Sequence, residues 1–228
     1  MTNKELIHHI VRLYQQANQL TAGFHNAAVT RGRRHTISSM VEDLLANFMQ
    51  QRLADPSLRF WVDYALSYKL PGWARAKTIY PDIAVVRQVH GQNQVLAIVD
   101  VKMDLGWKRD FGTRMPAIAQ DIQELKQASN VNRRVPDEGG RKFNEVVSIS
   151  PQLKLKYAIM GDQNGSAAEF EANRVAAAQH PDDLQFYAFT TGHYLGYATV
   201  DNIVLRDDEI DLFIDDLRAD VTASLSSL

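Results

Sequence analysis

The stretch that decides the fold is Tyr80–Asp104, with the sequence YPDIAVVRQVHGQNQVLAIVDVKMD. It contains two short, apolar and β-branched runs, Ile83–Gln88 and Gln94–Val101, which are typical of buried strands. Between them, His90–Asn93 supplies the glycine and asparagine that favour a turn. The stretch therefore predicts a buried β-hairpin.

Three charged residues lie at the outer end of this predicted hairpin. Antiparallel pairing across the turn places Asp82 opposite Asp100 and Val101. Lys102 follows two residues after Asp100, and because side chains alternate along a strand, we expect both on one face. A structural salt bridge is one interpretation, but buried ion pairs contribute little stability. A metal site is the better explanation for two carboxylates and an ammonium group that converge in this way.

Composition excludes several kinds of protein. The 228 residues include no cysteine, which excludes disulfides, zinc–thiolate sites and thiol catalysis. Apolar runs fall well short of the roughly 18 residues of a membrane span, and the N-terminus does not resemble a signal peptide. We therefore expect a cytoplasmic protein with no membrane partner.

Charge is distributed unevenly along the chain, although the formal net charge is only −2. Residues 31–142 contain 18 basic and 12 acidic side chains, whereas residues 143–228 contain five basic and 14 acidic ones. The middle segment is therefore net +6 and the last segment net −9. This asymmetry indicates an anionic partner for the segment that carries the hairpin.

Apolar periodicity predicts the other elements. It indicates an N-terminal helix over 4–20, a helix over 37–53, and an acidic amphipathic helix over 206–220 that covers the core or a dimer seam. Asn130–Asn144, with one proline, two glycines and four basic residues, is interpreted as a long polar loop. The remaining predicted elements, in chain order, are a strand at 59–67, the hairpin, a helix at 113–127, a strand at 154–161, a helix at 166–179 and a strand at 184–190.

This pattern resembles that of a known superfamily. Pro81-Asp82, seventeen residues and then Asp100-Val101-Lys102 resemble the PD-(D/E)xK motif of the restriction-endonuclease-like nucleases. The element order αβββαβαβ also resembles their common core, over about residues 36–190. The resemblance implies one α/β nuclease domain spanning 1–228, with a mixed central sheet flanked by helices and with the terminal helices as extensions.

The resemblance also implies a metal and its ligands. Asp82, Asp100, the backbone carbonyl of Val101 and an acidic residue on the upstream helix, Glu42, would hold Mg²⁺, for which Mn²⁺ would substitute. Asp82, Asp100, Lys102 and Glu42 would form the catalytic set, with Lys102 acting on the attacking water. For Glu42 a second interpretation stays open, because Ser39-x-x-Glu42 also fits a helix capping box.

A DNA partner would require basic residues that contact phosphates. The candidates are Arg31, Arg33, Arg34, Lys108, Arg109, Arg114, Arg133, Arg134, Arg141 and Lys142. Trp73 and Trp107 flank the motif and are expected to pack in the core rather than to stack on bases.

The resulting hypothesis is a Mg²⁺-dependent DNA endonuclease of the type II restriction kind, acting as a homodimer in a prokaryote or phage. The helix after Lys102 lacks the Gln-x-x-x-Tyr signature of exonuclease-type members, since Gln120 is followed by Glu124 and Gln123 by Gln127. Two alternatives are kept: a non-catalytic DNA-binding or regulatory relative, and a structure-specific or RNA nuclease.

Overall fold

A computed structural model describes residues 1–22, 37–89, 91–103, 111–136, 142–160, 167–192 and 203–224. These residues form an α/β fold with a mixed, largely antiparallel central sheet and five helices. The helices are α1 (Asn3–Ala22), α2 (Ser38–Leu53), α3 (Phe111–Ala128), α4 (Ala167–Ala178) and α5 (Asp207–Ala223). The strands are β1 (Leu58–Val62), β2 (Leu66–Tyr68), β3 (Lys77–Ile79), β4 (Ile83–Val89), β5 (Gln92–Lys102), β6 (Asn130–Pro136), β7 (Lys142–Ile149), β8 (Leu155–Ile159), β9 (Leu184–Ala188), β10 (Thr190–Gly192) and β11 (Ile203–Leu205).

Five strands of the sheet lie in the order β1-β4-β5-β8-β9. The β1–β4 and β4–β5 pairs are antiparallel, whereas β5, β8 and β9 run parallel to one another. The β4–β5 pair is the predicted hairpin; its strands pair out to Val89 and Gln92, and Gly91 has the positive φ of 81° that favours glycine. The predicted order of helix, strand, hairpin, helix, strand, helix and strand is found in α2, β1, β4–β5, α3, β8, α4 and β9.

The sheet also has an extension that the sequence analysis did not predict. The start of β5 pairs with β7, and from β7 the sheet continues through β6 and β2 to β3. The interpretation of Asn130–Asn144 as a long polar loop is therefore wrong, since much of it forms β6 and the start of β7. Val131 and Val147 are buried and lie opposite each other in the β6–β7 hairpin, which therefore has an apolar face despite its polar composition.

The expected single strand at 59–67 is also divided into β1 and β2. The break is at Asp63, whose φ of 54° is in the left-handed region that no extended strand tolerates. Aspartate adopts this conformation more readily than most residues, because its short side chain can bond locally. The chain therefore leaves the sheet at Asp63, next to the start of β4.

Helices cover both faces of the sheet. Residues of α1, α2 and α5 pack on one face with Ile83, Val85, Val99 and Val101, whereas α3 and α4 pack on the other face with Ala84 and Val86 among others. The predicted C-terminal helix covers the core, and its apolar stripe is buried. In the described part of the chain, no helix combines the length and apolarity needed to cross a membrane.

Candidate functional site

Three strands bring acidic residues to the same end of the sheet. Ile83 lies opposite Val99 on β5 and opposite Val62 on β1, so Asp82 is flanked by Asp100 on one side and by Asp63 on the other. The backbone N–H of Asp63 donates to the backbone carbonyl of Asp82 over 3.0 Å, which ties these strand ends together. The sequence-based pairing of Asp82 with Asp100 is confirmed at the level of register.

The two motif carboxylates and the lysine are in direct contact. Lys102 Nζ donates a short hydrogen bond to Asp100 and lies 3.8 Å from Asp82 Oδ2. The backbone N–H of Val101 donates to the same Asp82 oxygen over 2.6 Å. The side chains of Lys102, Asp82 and Asp100 are 20 %, 25 % and 24 % exposed, so water and a small ion can still reach them. This is a partly desolvated pair of carboxylates beside one fixed ammonium.

The carboxyl group of Asp82 is strongly perturbed by its surroundings. Burial raises its pKa to about 8, and a hydrogen bond to Asp100 and the charge of Asp100 act in the same direction. Lys102 and the Val101 N–H favour the ionised form but do not compensate. The single ammonium group of Lys102 therefore does not neutralise both carboxylates, and the site favours binding of a proton or a metal cation.

The donor set fits Mg²⁺, which takes one or two carboxylates and fills its other positions with water and phosphate oxygens. The carbonyl of Val101 points to the same side of β5 as its N–H, which bonds to Asp82. Asp82, Asp100 and the Val101 carbonyl are therefore the groups that could hold the ion. Within the described ranges, no group of three or more His, Cys, Asp or Glu side chains is placed to bind a metal.

Glu42 lies at the edge of this site, on the buried side of α2. Its pKa is raised by burial first and by the charges of Asp63, Asp43 and Asp100, while Lys102 lowers it. The capping-box interpretation is wrong: Ile37 is the N-cap, and no side chain caps this helix end with a hydrogen bond. The role of Glu42 as a metal ligand stays a prediction.

Asp63 is the residue that the sequence analysis missed. It is exposed at the end of β1, beside Asp82, and after burial its charge is the largest influence that raises the pKa of Glu42. An aspartate at the boundary of an apolar strand was the available signal, since such residues often end strands in the left-handed conformation.

The pair of Asp82 and Asp100 faces the layer of α3 and α4. Asp100 pairs with Tyr157 of β8, and burial followed by the charge of Asp100 raises the pKa of Tyr157. Arg114, exposed in the first turn of α3, opposes that shift, so its charge acts at this side of the sheet. Of the two predicted DNA-contacting residues whose side chains the structure describes, Arg114 is the one brought toward the motif.

Arg133 has partners inside the protein. Its guanidinium lies 3.5 Å from the ring centroid of Trp61 and 4.8 Å from that of Tyr64, and it donates to Glu145 over 2.5 and 2.9 Å. Only 12 % of its side chain is exposed. These contacts hold Arg133 between β1, β6 and β7, with little of the group left for a phosphate.

The other predicted DNA contacts lie mostly outside the described residues. Six of them are in undescribed segments, namely Arg31, Arg33, Arg34, Lys108, Arg109 and Arg141. Arg134 and Lys142 lie on β6 and β7, where their backbones are described and their side chains are not. Trp73 packs against the core with its ring centroid 5.8 Å from that of Tyr68, as expected, and Trp107 is in an undescribed segment.

Comparisons with known proteins add no relative to this geometry. No protein-family model matches the chain, and neither a curated protein nor a solved structure matches it at a significant level.

Proposed function

We propose that this protein is a Mg²⁺-dependent endonuclease that hydrolyses phosphodiester bonds of DNA. The observation that carries the proposal is the contact of Asp82, Asp100 and Lys102 at the end of two paired strands. A salt bridge alone is a weak reason for such a set, because desolvation of the three charges offsets much of their attraction. A cation site for phosphoryl chemistry explains both the paired carboxylates and the raised pKa of Asp82.

The order of elements supports the same class of enzyme. α2, β1, the β4–β5 hairpin, α3 and β8 follow one another as the resemblance to restriction-endonuclease-like nucleases implies, with β2, β3, β6 and β7 as additions. The motif residues are at the open end of the hairpin, where α2 contributes Glu42 and α3 contributes Arg114. Each of these positions agrees with the proposed role of its residue.

The residues divide the chemistry between them. Asp82, Asp100 and the Val101 carbonyl would hold Mg²⁺, which supplies positive charge for the scissile phosphate and makes water more acidic. Lys102, fixed by Asp100, can orient the attacking water and stabilise negative charge that develops on the phosphate. Arg114 can contact a neighbouring phosphate, because its guanidinium is exposed on the same side of the sheet.

Cleavage of plasmid and linear DNA in Mg²⁺, Mn²⁺ or EDTA tests the proposal. We expect the wild type to cut only with metal, and Asp100→Asn and Lys102→Met to lower the rate at least about 100-fold, because each removes a group needed in the transition state. Asp182→Asn is the matched control, since this exposed carboxylate lies just before β9, at the opposite end of the sheet. Cleavage that persists in EDTA, or in Asp100→Asn at the wild-type rate, would contradict the proposal.

A further inference from the structure

The chain between the two site residues Asp63 and Asp82 forms an arm that begins and ends at the proposed active site. It contains β2 and β3, and both ends are fixed by the hydrogen bond between Asp63 and Asp82. Residues 64–81 include three basic side chains and no acidic one. A segment of this charge, attached directly to a phosphoryl-transfer site, suits an anionic polymer.

Tyr80 is the exposed aromatic side chain of this arm. Along β3, Ile79 packs against the core while Thr78 is exposed, and Tyr80 continues the outward alternation with 68 % of its surface exposed. An aromatic ring left this open is unusual for a residue that a core could use. Since two residues of chain span at most about 7 Å, the Cα atoms of Tyr80 and Asp82 lie within that distance.

The basic side chains of the arm have two different roles. Lys77 binds Asp121 over 2.6 Å and Glu124 over 2.9 Å, which fixes β3 to the surface of α3. Arg75 and Lys69 are exposed, and in the described ranges neither forms an ion pair with an acidic side chain. The arm is thus held in place by one lysine and presents two uncompensated cations.

We propose that Tyr80, Arg75 and Lys69 bind single-stranded nucleic acid and guide it to the site at Asp82. A base stacks on the Tyr80 ring, and the phosphates that follow contact Arg75 and Lys69. Arg75 is five residues before Tyr80, so at most about 17 Å of extended chain separates them, which two or three nucleotides can span. Bases inside a duplex are already stacked on each other, so an exposed ring favours a frayed, gapped or single-stranded substrate.

This inference rests on the proposed function for its direction, but binding can be measured without cleavage. The probe is a fluorescently labelled 20-nucleotide single strand, as DNA and as RNA, compared with the duplex of the same sequence by anisotropy in EDTA. We expect Tyr80→Ala to weaken single-strand binding about 5- to 100-fold and Tyr80→Phe to retain it, because the ring and not the hydroxyl stacks. Duplex binding should change less than twofold.

Arg75→Ala tests the phosphate contact and has a matched control. We expect weaker single-strand binding and a smaller dependence of affinity on salt, since one counterion fewer is released. Arg12→Ala is the control, because Arg12 is exposed on α1, which packs on the opposite face of the sheet. Single-strand affinity unchanged in Tyr80→Ala, or reduced equally for single strand and duplex, would overturn the inference.

The two proposals fail in different ways. If the protein binds single strands through Tyr80 but cuts no nucleic acid with any metal, the binding role of the arm stands and the nuclease proposal fails. If the Tyr80→Ala variant cuts DNA normally, with kcat and KM both unchanged on single strands, the nuclease proposal stands and the binding role of the arm fails. A wild type that binds neither probe overturns the arm outright.

Discussion

At the scale of single residues, the raised pKa of Asp82 makes the stability of the metal-free protein depend on pH. The carboxyl titrates near its ordinary value of 3.8 in the unfolded chain and at about 8 in the folded one. Between these values the folded state holds a proton that the unfolded state has released, so the free energy of unfolding falls as pH rises from about 4 to 8. The greatest slope for one proton is about 1.4 kcal/mol per pH unit.

Urea unfolding in EDTA, at intervals from pH 4 to 8, measures this slope. Asp82→Asn should flatten the profile, because an amide does not titrate. Mg²⁺ should stabilise the wild type most near pH 8, where Asp82 begins to lose its proton. It should not stabilise Asp100→Asn. A profile with the same slope in wild type and Asp82→Asn would show that another group is responsible.

The periodicity of the sequence correctly predicted which of these side chains lie together. Pairing of Asp82 with Asp100, and of Asp100 with Lys102 on one face, follows from the alternation of a strand, and the hairpin obeys it. Asp63 was missed because β1 and β2 read as one continuous apolar run. The pairing of β1 with β4 brings Asp63 beside Asp82, and this pairing is a property of the folded sheet that the local sequence does not give.

At the scale of elements, β6 and β7 show what local composition cannot predict. Their sequence is polar and contains proline and glycine, so it predicts a loop. The folded strands are nevertheless stabilised by a contact with a residue far away along the chain. Arg133 of β6 stacks on Trp61 of β1 and pairs with Glu145 of β7. Glu145 is near in sequence, but Trp61 is 72 residues before Arg133, so only the folded chain brings the guanidinium and the indole ring together.

Substitution of Arg133 distinguishes a structural role from a role in DNA binding. We expect Arg133→Ala to lower the free energy of unfolding by about 2 kcal/mol, because it removes a desolvated cation–π contact and the counter-charge of Glu145, whose Oε1 keeps its hydrogen bond from Asn93. Chemical denaturation measures the change, and Arg59→Ala is a control, as Arg59 is exposed on neighbouring β1. Unchanged stability with weaker DNA affinity would instead assign Arg133 to the substrate.

At the scale of the whole molecule, the most acidic helix lies away from the proposed site. The net −9 segment includes α5, which packs on the face of the sheet away from Asp100 and Lys102. The net +6 segment includes the hairpin, the arm and α3, which surround the site. The acidic charge of α5 is therefore kept from the side of the sheet on which an anionic substrate would bind.

A buried ion pair connects α5 to the sheet. Lys156 of β8 is fully buried, lies 2.6 Å from Asp220 of α5, and also donates to Gln185 of β9. Burial lowers the pKa of Lys156, and the charge of Asp220 opposes this shift in part. The alternation of KLKYAIM predicts a strand but gives no sign of this contact, because Asp220 is 64 residues further along the sequence.

Substitutions at both members of this pair test how the last helix is held. Asp220→Asn should lower the free energy of unfolding by about 3–5 kcal/mol, because it leaves the Lys156 ammonium buried without a counter-charge. Lys156→Met combined with Asp220→Leu should cost much less, since an apolar pair of similar volume needs no desolvation of charge. Asp215→Asn is the control on the exposed side of α5. If the double variant is as unstable as Asp220→Asn alone, then packing at these positions, and not the buried charge, holds α5 on the sheet.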